Sequence, residues 1–140
     1  MEMKRGELIK VIEDFFRGMN EHDVEKMAQE CTESIIADEV AESEPFIGVD
    51  NFKKAYSEVF QGYPDCVADV EEWFIDGNAV ICQVRWVATN SGVFRGAEPT
   101  GKRVDLRIAY FFKLKDGRID RITEYYDVAT LLVQQGQREL

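Results

Sequence analysis

The chain has 140 residues, 45% hydrophobic and 31% charged, with nine Phe, five Tyr and two Trp. That length and mix describe one globular domain, residues 1–140, which buries roughly two-thirds of its unfolded surface and excludes a disordered chain. A net charge of −10 opposes binding to nucleic acid or to an anionic membrane, whose phosphates draw basic patches.

The first half reads as helical. Leu8, Val11, Ile12, Phe15, Phe16 and Met19 recur at helical spacing and make one apolar face. Residues 20–23 break the pattern. Asp23 can then cap a short second helix carrying Val24, Met27, Ala28 and Cys31. Residues 34–40 suit a short strand, and the acids between Glu30 and Glu44 read as a solvated segment, with Asp38 and Glu39 as rim charges. After Pro45 and Gly48, Asp50 can cap a third helix that turns Phe52, Tyr56, Val59 and Phe60 inward and ends near Gly62.

The second half reads as sheet. Residues 66–75 and 79–89 flank Asp76-Gly77, a hairpin signal. Residues 91–101 form a Gly/Pro-punctuated connector with a brief strand expected at 93–94. Residues 103–115 and 118–126 flank Asp116-Gly117. Asp127 is a candidate cap for a last helix over 128–135, stopped by Gly136. Helices followed by meandering strands imply an α+β fold, with helices packed on one face of a curved antiparallel sheet.

Cys31, Cys66 and Cys82 are an odd count without CxxC spacing, and each sits among apolar residues. Buried free thiols in a reducing cytoplasm are expected, with neither disulfides nor a metal site. The single histidine, His22, gives poor support to zinc or Ser-His-Asp chemistry. There is neither a signal-peptide pattern nor an apolar run of membrane length, so a cytoplasmic location is expected.

Along residues 103–115 the even positions Leu106, Ile108, Tyr110, Phe112 and Leu114 are apolar and should meet the core or a pocket. The direction of Glu124 on the return strand depends on the turn. A two-residue Asp-Gly loop places Glu124 on the polar side. A three-residue Lys115-Asp116-Gly117 loop, with the Gly in a bulge, places it with Ile122, Tyr126, Tyr110 and Ile108. Periodicity permits both. On residues 79–89, Val80, Cys82, Val84, Trp86 and Ala88 make an apolar even face, leaving Arg85 on the mixed one.

The run Gly92-Val-Phe-Arg-Gly-Ala-Glu-Pro-Thr-Gly-Lys-Arg-Val104 resembles the G-x-F-x-G-x-x-P-T-G-R segment of SnoaL-like polyketide cyclases. Asp116-Gly117-Arg118-Ile119, Tyr125-Tyr126-Asp127 and Leu131-Leu132-Val-Gln-Gln-Gly136 continue the likeness in order, as does Gly48-Val-Asp-Asn-Phe52 before the third helix. The wider group is the nuclear-transport-factor-two-like superfamily, with ketosteroid isomerases and limonene epoxide hydrolases among its members. The resemblance implies a cone of bent sheet around helices with an internal pocket.

It also implies roles. The cyclases' acid/base Asp, three residues before the Asp that opens the last helix, corresponds to Glu124, which favours the pocket-facing register. Their helper histidine corresponds to Tyr110. Arg85 matches the Arg of the epoxide hydrolases' Arg-x-Asp, but Val87 replaces the Asp, which argues against epoxide hydrolysis. Phe15 stands where the isomerases have an oxyanion-binding Tyr, and Asp38 or Glu39 lies near their general base.

The expectation is an acid/base enzyme, cyclase- or isomerase-like, without metal or organic cofactor, acting on an apolar carbonyl-bearing small molecule. Glu124, Tyr110 and Arg85 are its candidate catalytic residues. Phe15, Met19, Phe60, Leu106, Ile108, Phe112, Ile122 and Tyr126 are its candidate pocket walls. The alternative is a non-catalytic ligand-binding or dimerisation module of the same fold. The resemblance implies a homodimer through the outer sheet face, where Trp86 and Phe111 are expected to be exposed.

Overall fold

A computed structural model describes residues 3–136. Helix α1 spans Arg5–Asn20 and buries Leu8, Ile12, Phe15, Phe16 and Met19, the face expected from their spacing. Asp23 accepts hydrogen bonds from the Glu25 and Lys26 amides, both at 3.1 Å, and so starts α2, Val24–Gln29. Strand β1, Cys31–Glu39, begins earlier than its sequence signal, and a two-residue strand β2, Phe46–Ile47, follows. Helix α3, Val49–Gly62, is preceded by Gly48 at φ 87°. Asp50 therefore is not its cap; it sits inside the first turn, where its charge meets the positive helix end.

Four strands complete the sheet: β3 Val67–Asp76, β4 Ala79–Thr89, β5 Arg103–Lys115 and β6 Arg118–Tyr125. Helix α4, Val128–Gln134, starts at Asp127, which accepts from the Ala129 and Thr130 amides. The curved sheet runs β2-β1-β6-β5-β4-β3. Its β1–β6 pair is parallel, so the sheet is mixed where an antiparallel one was expected. The β3–β6 meander returns β6 running alongside β1 in the same direction. The helices cover the inward face, where Phe16 and Phe112 meet Phe15 edge to face and Phe52 meets it at a tilt.

The expected strand at 93–94 is instead a tight turn. Phe94 and Ala97 exchange backbone hydrogen bonds at 3.1 and 2.9 Å, with Arg95 and Gly96 both at positive φ.

The β5–β6 hairpin resolves the direction of Glu124 by a route neither loop alone offers. The turn is the two-residue one, since Lys115 pairs with Arg118, and Asp116 and Gly117 both take positive φ. A bulge then changes the count. Leu114 pairs with Ile119, but Lys113 pairs with Arg121, leaving Asp120 as the extra residue. Ile119 and Ile122 are thus both buried, and Glu124 lies opposite Tyr110 on the inward face. The Thr32 hydroxyl donates to the Asp120 carboxylate at 2.7 Å, holding the bulge against β1.

Candidate active site

Between the sheet and the helices lies a partly enclosed apolar cavity, with about 80 Å³ open to the centres of water-sized molecules. Its walls are chiefly Met19, Phe60, Tyr63, Trp86, Leu106, Ile108 and Leu131. Tyr56, Tyr110, Tyr126, Glu39 and Glu124 supply its polar groups.

Glu124 is 7% exposed. Its Oε1 accepts a hydrogen bond of 2.5 Å from the Tyr56 hydroxyl, delivered by α3. Burial, and then the nearby charge of Glu39, push its pKa up to about 8. Hydrogen bonding from Tyr56 and Tyr110 pulls the other way, as does the more distant Arg95 cation. Burial and the Glu124 charge likewise hold the Tyr56 and Tyr110 hydroxyls well above their usual range, so both remain donors.

Glu39 sits beside Glu124 in the parallel β1–β6 register. It is no rim charge, since its side chain is 12% exposed and lines the cavity. Burial raises its pKa, and Arg95 opposes that rise. Asp38, one residue earlier, faces away and pairs with Arg121 at 3.2 Å.

The expected wall residues divide in two. Met19, Phe60, Leu106, Ile108 and Tyr126 line the cavity. Phe15, Phe112 and Ile122 lie deeper and are fully packed into the core, where α1 and α3 close over the sheet. Trp86 faces the cavity too and is not an exposed outer-face aromatic, because it shares the inward face of β4 with Val84 and Ala88.

Arg85 does not join Glu124. Its side chain is on the outer face, 50% exposed, and its Nε and Nη2 donate to the two Asp105 carboxylate oxygens at 2.9 and 2.6 Å. The odd-position parity of β4 dictates this, and it keeps Arg85 out of the cavity that Glu124 faces. Sequence reasoning missed Tyr56 as a partner of Glu124 and Arg95 beside Glu39; Glu39 itself was read as a rim charge, although the resemblance set it near a general base. Tyr56 had the right inward helical phase, but phase alone does not say which inward residue meets a carboxylate.

Among the described residues no cluster of His, Cys, Asp and Glu is arranged to hold a metal ion. The three thiols are buried and free, and burial pushes each up to about 12, which leaves them poor nucleophiles. The site can therefore offer a buried carboxyl that exchanges a proton near neutrality, tyrosine donors beside it, and an apolar wall.

The family model for SnoaL-like polyketide cyclases matches residues 7–135. The chain belongs to that family. No functionally curated protein matches its sequence. A candidate SnoaL-like polyketide cyclase from Jannaschia sp. CCS1 superposes with a TM-score of 0.85 at 17% identity, over 99% of each chain. IdmH from Streptomyces antibioticus, a candidate polyketide cyclase, gives 0.78 at 20% identity over 92% of this chain and 98% of its own. TerC, co-crystallised with polyporic acid, gives 0.76 at 12% identity over 92% and 98%. At such identities the likeness to these structures establishes the cone fold, and membership of the SnoaL-like family rests on the sequence match. No helix among the described residues is long and apolar enough to cross a membrane.

Proposed function

We propose that this SnoaL-like protein is an acid/base enzyme that moves a proton on carbon beside a carbonyl of an apolar small molecule. The observation that carries the reading is Glu124, a buried carboxyl facing an aromatic cavity beside Tyr56 and Tyr110. A carboxylate in such surroundings has a proton affinity raised toward that of a carbon acid, which is what a general base needs. In its ionised form Glu124 takes the proton. Tyr110, beside it on β5, donates to the oxygen where enolate charge develops, and Tyr56 orients the carboxyl. The enolate then either attacks a second carbonyl carbon, closing a ring while Glu124 returns its proton to the alkoxide that forms, or takes that proton back from Glu124 at another carbon, shifting a double bond. Apolar walls keep water from the enolate.

The test is proton exchange on a panel of polycyclic ketones, steroids and terpenoids, chosen by thermal shift, incubated in deuterated buffer. Wild type should accelerate deuterium uptake at the carbon next to the carbonyl, and Glu124→Gln should lose on the order of 10²-fold or more of that rate. A ligand that stabilises both proteins equally, with no exchange in either, would leave a ligand-binding module instead. Because the ionised form acts, the rate on any active ketone should rise with pH through about 8.

The same proposal includes a homodimer formed by the outer face of the sheet. That face carries Phe111, 39% exposed and packed edge to face against Tyr125 at 5.6 Å.

A further inference from the structure

The connector between β4 and β5 carries the sequence signature of the family, yet none of its side chains enters the proton transfer described above. Its placement is nevertheless tightly built. Asn90 is buried, donating to the Gly62 and Gly92 carbonyls at 3.1 Å each and accepting from the Thr100 amide at 2.9 Å. This frame sets the Phe94–Ala97 turn beside the cavity, with Phe94 in the cavity wall. Arg95 occupies the first corner of that turn at φ 47°, a conformation that glycine, asparagine and aspartate take more readily than arginine does.

The Arg95 side chain accounts for that choice of residue. Its guanidinium lies between two aromatic rings, 5.3 Å from the centroid of Phe46 and 4.6 Å from that of Phe94. The side chain is only 19% exposed. Three carboxylates surround it. Nη1 donates to Glu42 at 2.5 Å, Nη2 lies 3.7 Å from Glu39, and Nε lies 3.9 Å from Glu58. Of these three, Glu39 is the one that also lines the cavity and neighbours Glu124 across the β1–β6 register.

We infer that Arg95 is a positioning residue of the Glu124 site: held beside Glu39 by the 90–102 connector, it keeps Glu39 ionised next to Glu124 and so fixes Glu124 as the carboxyl that carries the exchangeable proton. The inference rests on Glu124 being the proton-transfer group. Without the cation, two buried carboxyls on adjacent strands would compete for one proton, since like charges so close cannot both ionise cheaply. With it, the roles are distinct. Glu39 faces Arg95 from the connector and lies near Glu42 and Glu58. Glu124 faces Tyr56 from α3, Tyr110 from β5 and Glu39 from β1. Tyr126 lies near both acids, and its hydroxyl is held above its usual range by burial first and by their charges next.

Isotope-edited infrared spectroscopy of the glutamate carboxyl stretch, read against pH, tests this without any substrate. In wild type the upper step of the Glu39–Glu124 pair should fall near pH 8 and vanish in Glu124→Gln. Arg95→Met removes a cation from both acids, so the upper step should move up by about one pH unit or more. Glu39→Gln removes the repelling charge, so it should move down by a comparable amount. Arg95→Lys should lie between wild type and Arg95→Met, because the charge survives while the fork and ring stacking are lost. Upper steps that stay at the wild-type value in folded Arg95→Met and Glu39→Gln, or that move in the same direction, would overturn the inference. If Arg95→Met does not fold, Glu39→Gln and Arg95→Lys decide it. A failure of Glu124→Gln to reduce proton exchange would sink the proposed reaction while leaving these titrations intact.

Discussion

Tyr56 and Glu124 lie 68 positions apart in sequence and meet through a 2.5 Å hydrogen bond in the wall of the cavity. That contact does not offset the full cost of burying a carboxylate, because the pKa of Glu124 still rises from its usual 4.5 to about 8. Stability follows from the same shift. Between 4.5 and about 8 the folded state holds a proton that the unfolded chain has released. The stabilisation linked to that proton is complete below the unfolded pKa, declines as pH rises, and is lost through the folded pKa. Glu124→Gln, which cannot ionise, should therefore gain relative to wild type as pH increases. Urea unfolding at about pH 6 and about pH 9 should show the difference between the two proteins widening in favour of the variant, by on the order of a few kcal/mol at most. A constant difference would mean that Glu124 titrates near its ordinary value and is not buried in solution. Resemblance to the cyclases, through the spacing to Asp127, made the position of Glu124 legible. Its partners were not, because Tyr56, Glu39 and Arg95 come from three other segments whose convergence no local pattern encodes.

At the level of elements, periodicity located α1, α2, α3 and the four-strand meander, because each buries one face and repeats accordingly. It was blind where a single residue changes the count. The alternation of β6 is broken at Asp120, so no uniform alternation describes both Ile119 and Ile122 as inward. Of the two loops read from sequence, one had no bulge and the other put it at Gly117, whereas the actual answer combines a two-residue turn with a bulge at Asp120. Short β2 escaped for a different reason: two residues hold no period. The connector was recognised by its Gly and Pro content, but its function as a platform depends on close approach to α3. A Cβ built on Gly92 would lie 1.9 Å from the Gln61 carbonyl oxygen, and one on Gly62 would lie 2.6 Å from the Phe94 Cβ. The first clash is with backbone, so relief requires the connector to move. Gly92→Ala should cost roughly 1–3 kcal/mol, the usual range for overpacking, measured as a lower urea midpoint. It should also displace Phe94 from the cavity wall and Arg95 from Glu39, so its upper carboxyl step should move in the direction of Arg95→Met. Unchanged stability and titration would show that the glycine contact does not hold the platform.

For the molecule as a whole, the outer face of the sheet is the surface left without a covering layer among the described residues. One register row runs from Phe74 through Ile81 and Phe111 to Thr123 across β3, β4, β5 and β6, with Tyr125 beside it. Phe74 and Tyr125 are 54% and 50% exposed. Around this apolar centre lie ion pairs, Arg85 with Asp105 at 2.6 Å and Arg107 with Glu71 at 3.6 Å. An apolar centre with a charged rim is the anatomy of a protein interface. In a two-fold dimer each residue acts twice, so a charge placed at Phe111 meets conditions set by both copies. Phe111→Lys should abolish the dimer with little loss of monomer stability, since the side chain is already partly in water. Sedimentation equilibrium at micromolar concentration should give a dimer for wild type and a monomer for the variant. Each copy carries −10, so the association should strengthen from low to moderate salt as that long-range repulsion is screened. A wild-type monomer at every salt concentration would remove the dimer. It would leave the cavity intact, because every residue assigned to proton transfer comes from a single chain and faces the opposite side of the sheet.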